Sequence, residues 1–179
     1  MEIYIALLRG VNVSGKNSLK MVDLKNMLEN MSFENIQTYI QSGNIIFSTH
    51  ESFTKIELAE QISIQIKEHF SLEVPVLILS KSDLEKIINN LPFSDFIEKD
   101  IYLTYLKEPS KIVDFETIVS KKSITEEMYF LDEVIYLDCP DGYGNTKLSN
   151  VFLEKKLGIL CTTRNLKTSK KLLELALNS

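Results

Sequence analysis

Ile36-Gln-Thr-Tyr-Ile-Gln-Ser-Gly-Asn-Ile-Ile-Phe-Ser48 reads as two short strands, Ile36 to Ile40 and Asn44 to Ser48, folded back on each other. β-branched and aromatic residues fill both arms, and Gly43 supplies the positive φ that a tight turn at Gln41-Ser-Gly-Asn44 demands. A helical pattern flanks the hairpin on each side. Leu24, Met27, Leu28 and Met31 recur at three and four residues within Leu19 to Met31, and Ile56, Ala59, Ile62, Ile66 and Phe70 do so within Thr54 to Phe70. Strands Ile3 to Leu8 and Val74 to Leu79 close the segment at its ends.

The resulting order, βαββαβ, folds most simply as a ferredoxin-like α+β sandwich, both helices lying on one face of a four-stranded antiparallel sheet. Beyond it, Ser82-Asp-Leu-Glu85 has the spacing of a capping box opening a short helix that Pro92 closes. The order then repeats: strand Ile101 to Leu106, helix Lys111 to Ser120, strands Met128 to Leu131 and Val134 to Leu137, helix Leu148 to Leu157, and a short strand near Ile159. A final helix, Asn165 to Leu177, is additional. We therefore expect two ferredoxin-like sandwiches, residues 1–80 and 96–179, joined by a connector helix in residues 81–95. Ile3-Tyr-Ile-Ala-Leu-Leu8 and Val74-Pro-Val-Leu-Ile-Leu79 are apolar on both sides, so the second face of the sheet needs cover from the other domain, the connector or a second copy.

With 179 residues, 44% of them hydrophobic, the chain can bury a sizeable core. A net charge of -5 argues against broad nucleic-acid binding. The longest apolar runs fall far short of the roughly 20 residues that cross a bilayer, and Met1-Glu-Ile-Tyr lacks the basic start of a signal peptide; the expected compartment is the cytosol. Cys139 and Cys161 stand apart from any Cys-x-x-Cys spacing and read as buried thiols, and His50 and His69 belong to no ligand-spaced cluster, so no metal is expected.

Chemistry is sparser. Gly10 to Lys16 has the G-x-x-x-x-G-K spacing of a phosphate loop, but Asn17 stands where the magnesium-binding Ser or Thr belongs, and an antiparallel sandwich is the wrong scaffold for that nucleotidase. An anion can still be held by backbone N–H groups beside a helix start. From Gly142 to Ser179 there are seven Lys or Arg against two Glu, so positive charge gathers near the C-terminus of an acidic chain. Lys16, Lys147 and Arg164 each sit near an expected helix start, where a cation is disfavoured unless an anion compensates it. The candidate anion-binding residues are Arg9, Lys16, Asn17, Lys147, Arg164 and Asn165, for a phosphorylated or carboxylated metabolite or a nucleotide. No nucleophile, acid/base pair or cofactor motif stands out. The alternative is a module that engages a protein, a second copy or an RNA through its sheet faces or through the basic final helix with Lys167, Lys170 and Lys171. Tyr4, Tyr39 and Phe47 lack the basic, doubly aromatic pattern of an RNA-stacking sheet and are expected to be packed.

The run Tyr4-Ile-Ala-Leu-Leu-Arg-Gly-Val-Asn-Val-Ser-Gly-Lys-Asn17, with Met21, Leu24 and Thr38-Tyr-Ile-Gln-Ser-Gly-Asn44, resembles the bacterial domain-of-unknown-function 1697 family. Lys147-Leu-Ser-Asn-Val-Phe-Leu-Glu-Lys-Lys-Leu-Gly158, with Thr163-Arg-Asn165 and Thr168, resembles the same family's second signature. Ser14 and Ser32 stand where the family pattern usually has Gly, and Leu166 where it usually has Trp. The resemblance implies paired ferredoxin-like units and carries no activity, substrate or catalytic residue with it.

Overall fold

The structure is a computed structural model that describes residues 1–13, 15, 17–108, 115–131 and 133–179. The chain forms two compact units, the first comprising Met1–Glu85 with Lys171–Ser179 and the second Lys86–Lys170.

In the first unit the strands are β1 (Glu2–Leu8), β2 (Glu34–Tyr39), β3 (Asn44–Thr49) and β4 (Val76–Ser80), and the helices are α1 (Met21–Glu29) and α2 (Lys55–Phe70). The sheet order is β2-β3-β1-β4 and every neighbouring pair is antiparallel, with Ile5 opposite both Ile46 and Leu79. This is the ferredoxin-like arrangement. Its core forms where Tyr4, Ala6, Leu8, Ile45, Phe47, Val76 and Ile78 meet the apolar stripes of the two helices. The stripe of α2 consists of Leu58, Ala59, Ile62 and Ile66. Ile56, expected on it, lies about 100° round the helix from its centre, by the helical repeat, and is 54% exposed. Tyr4 and Phe47 stack at 5.8 Å and Phe33 and Phe47 at 4.5 Å, so these rings face the helices and are packed as expected.

α2 begins with a capping box. Glu57 N–H donates to Thr54 Oγ1 at 3.2 Å and Thr54 N–H to Glu57 Oε2 at 2.8 Å. Those bonds from the Thr54 backbone and hydroxyl hold the Glu57 carboxyl below its ordinary value. A carboxyl with a depressed folded pKa stabilises fully above its unfolded pKa, and the contribution is lost as pH falls through the folded value. Thr54→Ala is therefore expected to flatten the acid limb of the stability–pH curve, measured by urea unfolding between pH 7 and about pH 3.

α3 (Lys81–Asn89) corrects one expectation. The helix begins directly after β4, with no loop between, so the cap is built two residues earlier than Ser82-Asp-Leu-Glu85 suggests. Asp83 N–H donates to Ser80 Oγ at 3.1 Å and Ser80 N–H to Asp83 Oδ2 at 2.9 Å. Burial alone would raise the Asp83 carboxyl, but the Ser80 N–H and hydroxyl and the Lys55 ammonium at 3.0 Å together hold it below its ordinary value.

The second unit repeats the order with β5 (Ile101–Leu106), α4 (Phe115–Val119), β6 (Glu127–Leu131), β7 (Val134–Asp138), α5 (Asn150–Leu157) and β8 (Cys161–Asn165). Its sheet, β6-β7-β5-β8, is again antiparallel throughout and matches the first strand for strand. The helix expected over Lys111 to Ser120 is described only from Phe115, since residues 109–114 lie outside the described part. The closing strand is Cys161–Asn165, not a segment near Ile159: Gly158 adopts φ 71° to end α5, and the chain needs the next two residues to reach the edge of β5. α6 (Leu166–Leu177) follows at once, and the division between the units falls within it and within α3.

Leu106, Ile118, Ile135, Leu137, Leu148 and Leu153 form the core on the helix-covered face of this sheet, together with Cys139 and Cys161, both buried and neither in a disulfide. Both faces of each sheet are buried, as the doubly apolar strands require: Ile5, Leu7, Ile46, Leu77 and Leu79 in the first, and Ile101, Leu103, Tyr105, Val134 and Tyr136 in the second. In the second unit, the phenol of Tyr136 donates to Ile87 O of α3 at 3.2 Å and that of Tyr105 to Ser169 Oγ of α6 at 2.7 Å, so each buried hydroxyl has a partner.

Candidate functional site

The loop between β1 and α1 is built on left-handed residues: Gly10, Asn12, Gly15 and Asn17 have φ of 73°, 54°, 74° and 47°. Asparagine tolerates this region because its short amide satisfies the backbone locally. Asn12 uses every polar atom of its side chain. Its Nδ2 donates to Leu19 O and to Gln41 O, both at 2.8 Å, and its Oδ1 accepts from Leu19 N–H at 2.8 Å. Its own N–H donates to Asn17 O at 3.1 Å. Asn17 Nδ2 in turn donates to Gly10 O at 3.1 Å. The two ends of the loop are thereby pinned to each other and to the β2–β3 turn.

That turn comes close because position 43 has no side chain. Leu8 N–H donates to Gly43 O at 2.8 Å. A Cβ on Gly43, whose φ is 69°, would lie 2.5 Å from Leu8 Cβ and 2.6 Å from Val11 Cγ2. Asn44 Nδ2 donates to Tyr39 O at 3.1 Å and closes the turn from inside, while Ile40 at its tip is held at φ 50°, an unfavourable conformation for a β-branched residue. Gly43 is thus more than the turn residue its sequence suggests: it lets the hairpin dock on the loop.

Of the sequence candidates, Arg9 and Asn17 belong to this loop. Arg9 is half-buried, its N–H donating to Pro75 O at 2.9 Å. The amide of Asn17 is spent on loop closure. Lys16 lies outside the described residues. Lys147, Arg164 and Asn165 belong to the second unit, where their surroundings differ from the expectation. Lys147 is exposed and precedes α5 by three residues; Ser149 caps that helix, accepting from Phe152 N–H at 3.3 Å. Arg164 is on β8, two residues before α6 begins, and its Nη1 donates to Thr162 Oγ1 at 2.8 Å and to Thr163 O at 2.9 Å. Asn165 caps α6, its Oδ1 accepting from Thr168 N–H at 2.8 Å. α1 alone of these three helices has no side-chain cap: Lys20 holds the capping position, and its ammonium has no lone pair to accept a first-turn N–H.

Sequence reasoning missed Asn12, although an Asn between two glycines of a loop is the signal for a side chain that acts as backbone. It also missed a polar network beneath α5. Thr163 Oγ1 lies 2.7 Å from Thr104 Oγ1, donates to Asn150 Oδ1 at 2.7 Å and receives the Tyr143 phenol at 3.1 Å, and Cys161 Sγ donates to the same Asn150 oxygen at 3.5 Å. Burial raises the Tyr143 phenol and, with the carboxylates of Glu126, Asp138 and Asp100, pushes the Cys139 thiol up to about 12. Neither group is poised for nucleophilic or acid/base chemistry near neutrality. Among the described residues no three His, Cys, Asp or Glu side chains gather as a metal would need, and no helix is long and apolar enough to cross a membrane. On the final helix, Lys170 pairs with Glu98 and Lys171 with Glu174, so two of its three candidate cations are already matched.

No functionally curated protein matches this chain. Among solved structures it is similar to the conserved bacterial protein SP0830 from Streptococcus pneumoniae, at 26% identity over 98% of each chain with a TM-score of 0.75. The likeness extends through both units, including the C-terminal stretch from Lys147 onward. A family model described as protein of unknown function matches residues 1–136, a span that includes the Asn12 loop, the Gly43 turn, β5, β6 and the first three residues of β7. The chain belongs to the DUF1697 family.

Proposed function

We propose that the first unit binds a small anionic metabolite, phosphorylated or carboxylated, at the loop between β1 and α1. The observation that carries this reading is the uncapped start of α1: Ser149 and Asn165 occupy the starts of α5 and α6, whereas the first-turn N–H groups of α1 lack a side-chain acceptor. A helix start of this kind attracts negative charge, and Lys20 and Arg9 add cations on the same loop. Gly10 and Asn12, left-handed at alternate places, have the backbone pattern that turns N–H groups toward one concave side. Arg164 and Asn165, engaged with their own unit, drop out of the core of this reading; Lys147 is left as an exposed cation.

Thermal unfolding in the presence of phosphate, sulfate, nucleotides and phosphorylated cofactors tests it. At a hundredfold excess over the dissociation constant a ligand selective for the native state adds about 2.7 kcal/mol, a rise of several degrees in midpoint for a chain of this size. The rise is expected to vanish in Arg9→Gln and Lys20→Gln and to survive in Lys147→Gln. A rise that persists in both loop variants, or none with any anion, sinks the reading.

A second reading, a protein partner, draws on the exposure of Phe96, Tyr129 and Leu131, at 39%, 40% and 43%, the last two on edge strand β6. Substitution of these residues leaves anion binding unchanged on the first reading.

A further inference from the structure

A groove of about 400 Å³ lies in the first unit between α1, β2 and residues 178 and 179. One wall carries Lys25 and Glu29, successive on the outer face of α1, with Nζ and Oε1 3.8 Å apart and both side chains about half exposed. The facing wall is made of carboxamides. Asn35 Nδ2 donates to Ser48 Oγ at 3.0 Å, Gln37 Nε2 to Ser179 Oγ at 3.0 Å and Asn178 Nδ2 to Glu174 O at 2.8 Å. In each case the amide nitrogen gives an N–H to the protein, while the carbonyl oxygen, with two lone pairs, accepts from no described residue. A register shift in β2 between Glu34 and Gln37, with Asn35 at φ 53°, sets Asn35 and Gln37 on the groove instead of across the sheet alternation.

The groove therefore offers one cation, one anion a few ångströms from it, and a surplus of hydrogen-bond acceptors. A simple anion would use Lys25 and meet Glu29; a simple amine would do the reverse. A molecule carrying a carboxylate and an ammonium on neighbouring atoms matches both charges head to tail and gives its N–H groups to the open carbonyls. The Lys25–Glu29 pair is no obstacle, since an exposed pair of this length opens at little cost. We infer that this groove is a site for a small zwitterion of the α-amino-acid class, with Lys25 holding the carboxylate and Glu29, Asn35, Gln37 and Asn178 holding the ammonium. The inference does not rest on the anion site of the β1–α1 loop, and neither site's failure bears on the other.

The side-chain amide signals of Asn35, Gln37 and Asn178 in a nitrogen-15 spectrum of the full chain report on the groove directly. Titration with L-alanine or L-leucine is expected to shift all three saturably. The methyl ester, which keeps only the ammonium, and the N-acetyl form, which keeps only the carboxylate, are each expected to bind about tenfold more weakly. Lys25→Gln is expected to weaken the free amino acid and leave the ester unchanged, and Glu29→Gln to weaken the free amino acid and leave the N-acetyl form unchanged. Both positions are exposed, so the backbone spectrum stays that of the folded protein. No saturable shift with a free amino acid, equal affinity for the three compounds, or indifference to both substitutions overturns the assignment.

Discussion

Gly43→Ala is expected to lower the unfolding free energy by about 3 kcal/mol, one part from a left-handed backbone and the larger part from overpacking. The two parts have separate origins. The φ of 69° alone disfavours any L side chain. The added methyl would also need the space held by Leu8 Cβ at 2.5 Å and Val11 Cγ2 at 2.6 Å. Leu8 Cβ belongs to every residue but glycine, so no trimming at position 8 relieves the contact; β1 or the turn has to move. Movement breaks the bond from Leu8 N–H to Gly43 O at the end of the β1–β3 ladder. Urea unfolding followed by circular dichroism measures the loss. A change below about 1 kcal/mol would mean that the turn relaxes freely and that the close approach is not a constraint.

Asn12→Ala is expected to cost about 2 kcal/mol, and Asn12→Gly about 1 kcal/mol less than that, because glycine restores the left-handed backbone without restoring the amide. Alanine removes two donors and one acceptor at once, leaving Leu19 O, Gln41 O and Leu19 N–H to water where the half-buried loop admits it. Asn12→Asp separates these contributions. It keeps an acceptor for Leu19 N–H but sets a carboxylate oxygen where Nδ2 stood, 2.8 Å from two carbonyl oxygens, so it is expected to be at least as damaging as alanine. Equal stability of the Asp and Asn proteins would show that the clamp contributes nothing. The same denaturation series, read at one pH, decides this.

How much of this was open to the sequence follows from how local each cause is. The hairpin around Gly43, the stripes of α1 and α2 and the Thr54–Glu57 box are written within a few residues, and periodicity and capping patterns find them. β8 escaped because the buried side chains of Cys161-Thr-Thr-Arg-Asn165 are a cysteine and a threonine, and the half-buried Thr163 hydroxyl pairs with Thr104 and Asn150, so no apolar run marks the strand. The cap of α3 was displaced because nothing in Ser80-Lys-Ser-Asp83-Leu-Glu85 says that the helix starts without a loop. For the candidate site the difficulty was distance along the chain. Arg9 and Asn17 were found on spacing, but the bond that organises their loop joins Asn12 to Gln41, 29 positions apart. Arg164 and Asn165 were read as cations and polar residues awaiting a ligand, when one bridges Thr162 and Thr163 and the other caps a helix.

The Asn12 clamp makes the β1–α1 connection a modular part. With Leu19 held at both its N–H and its carbonyl and Gln41 held beside it, the chain enters and leaves the connection at one fixed neck. Lengthening such an excursion adds only the slowly growing entropy of loop closure. Divergence in the length of the connection can therefore leave the neck and the paired sandwiches as they are.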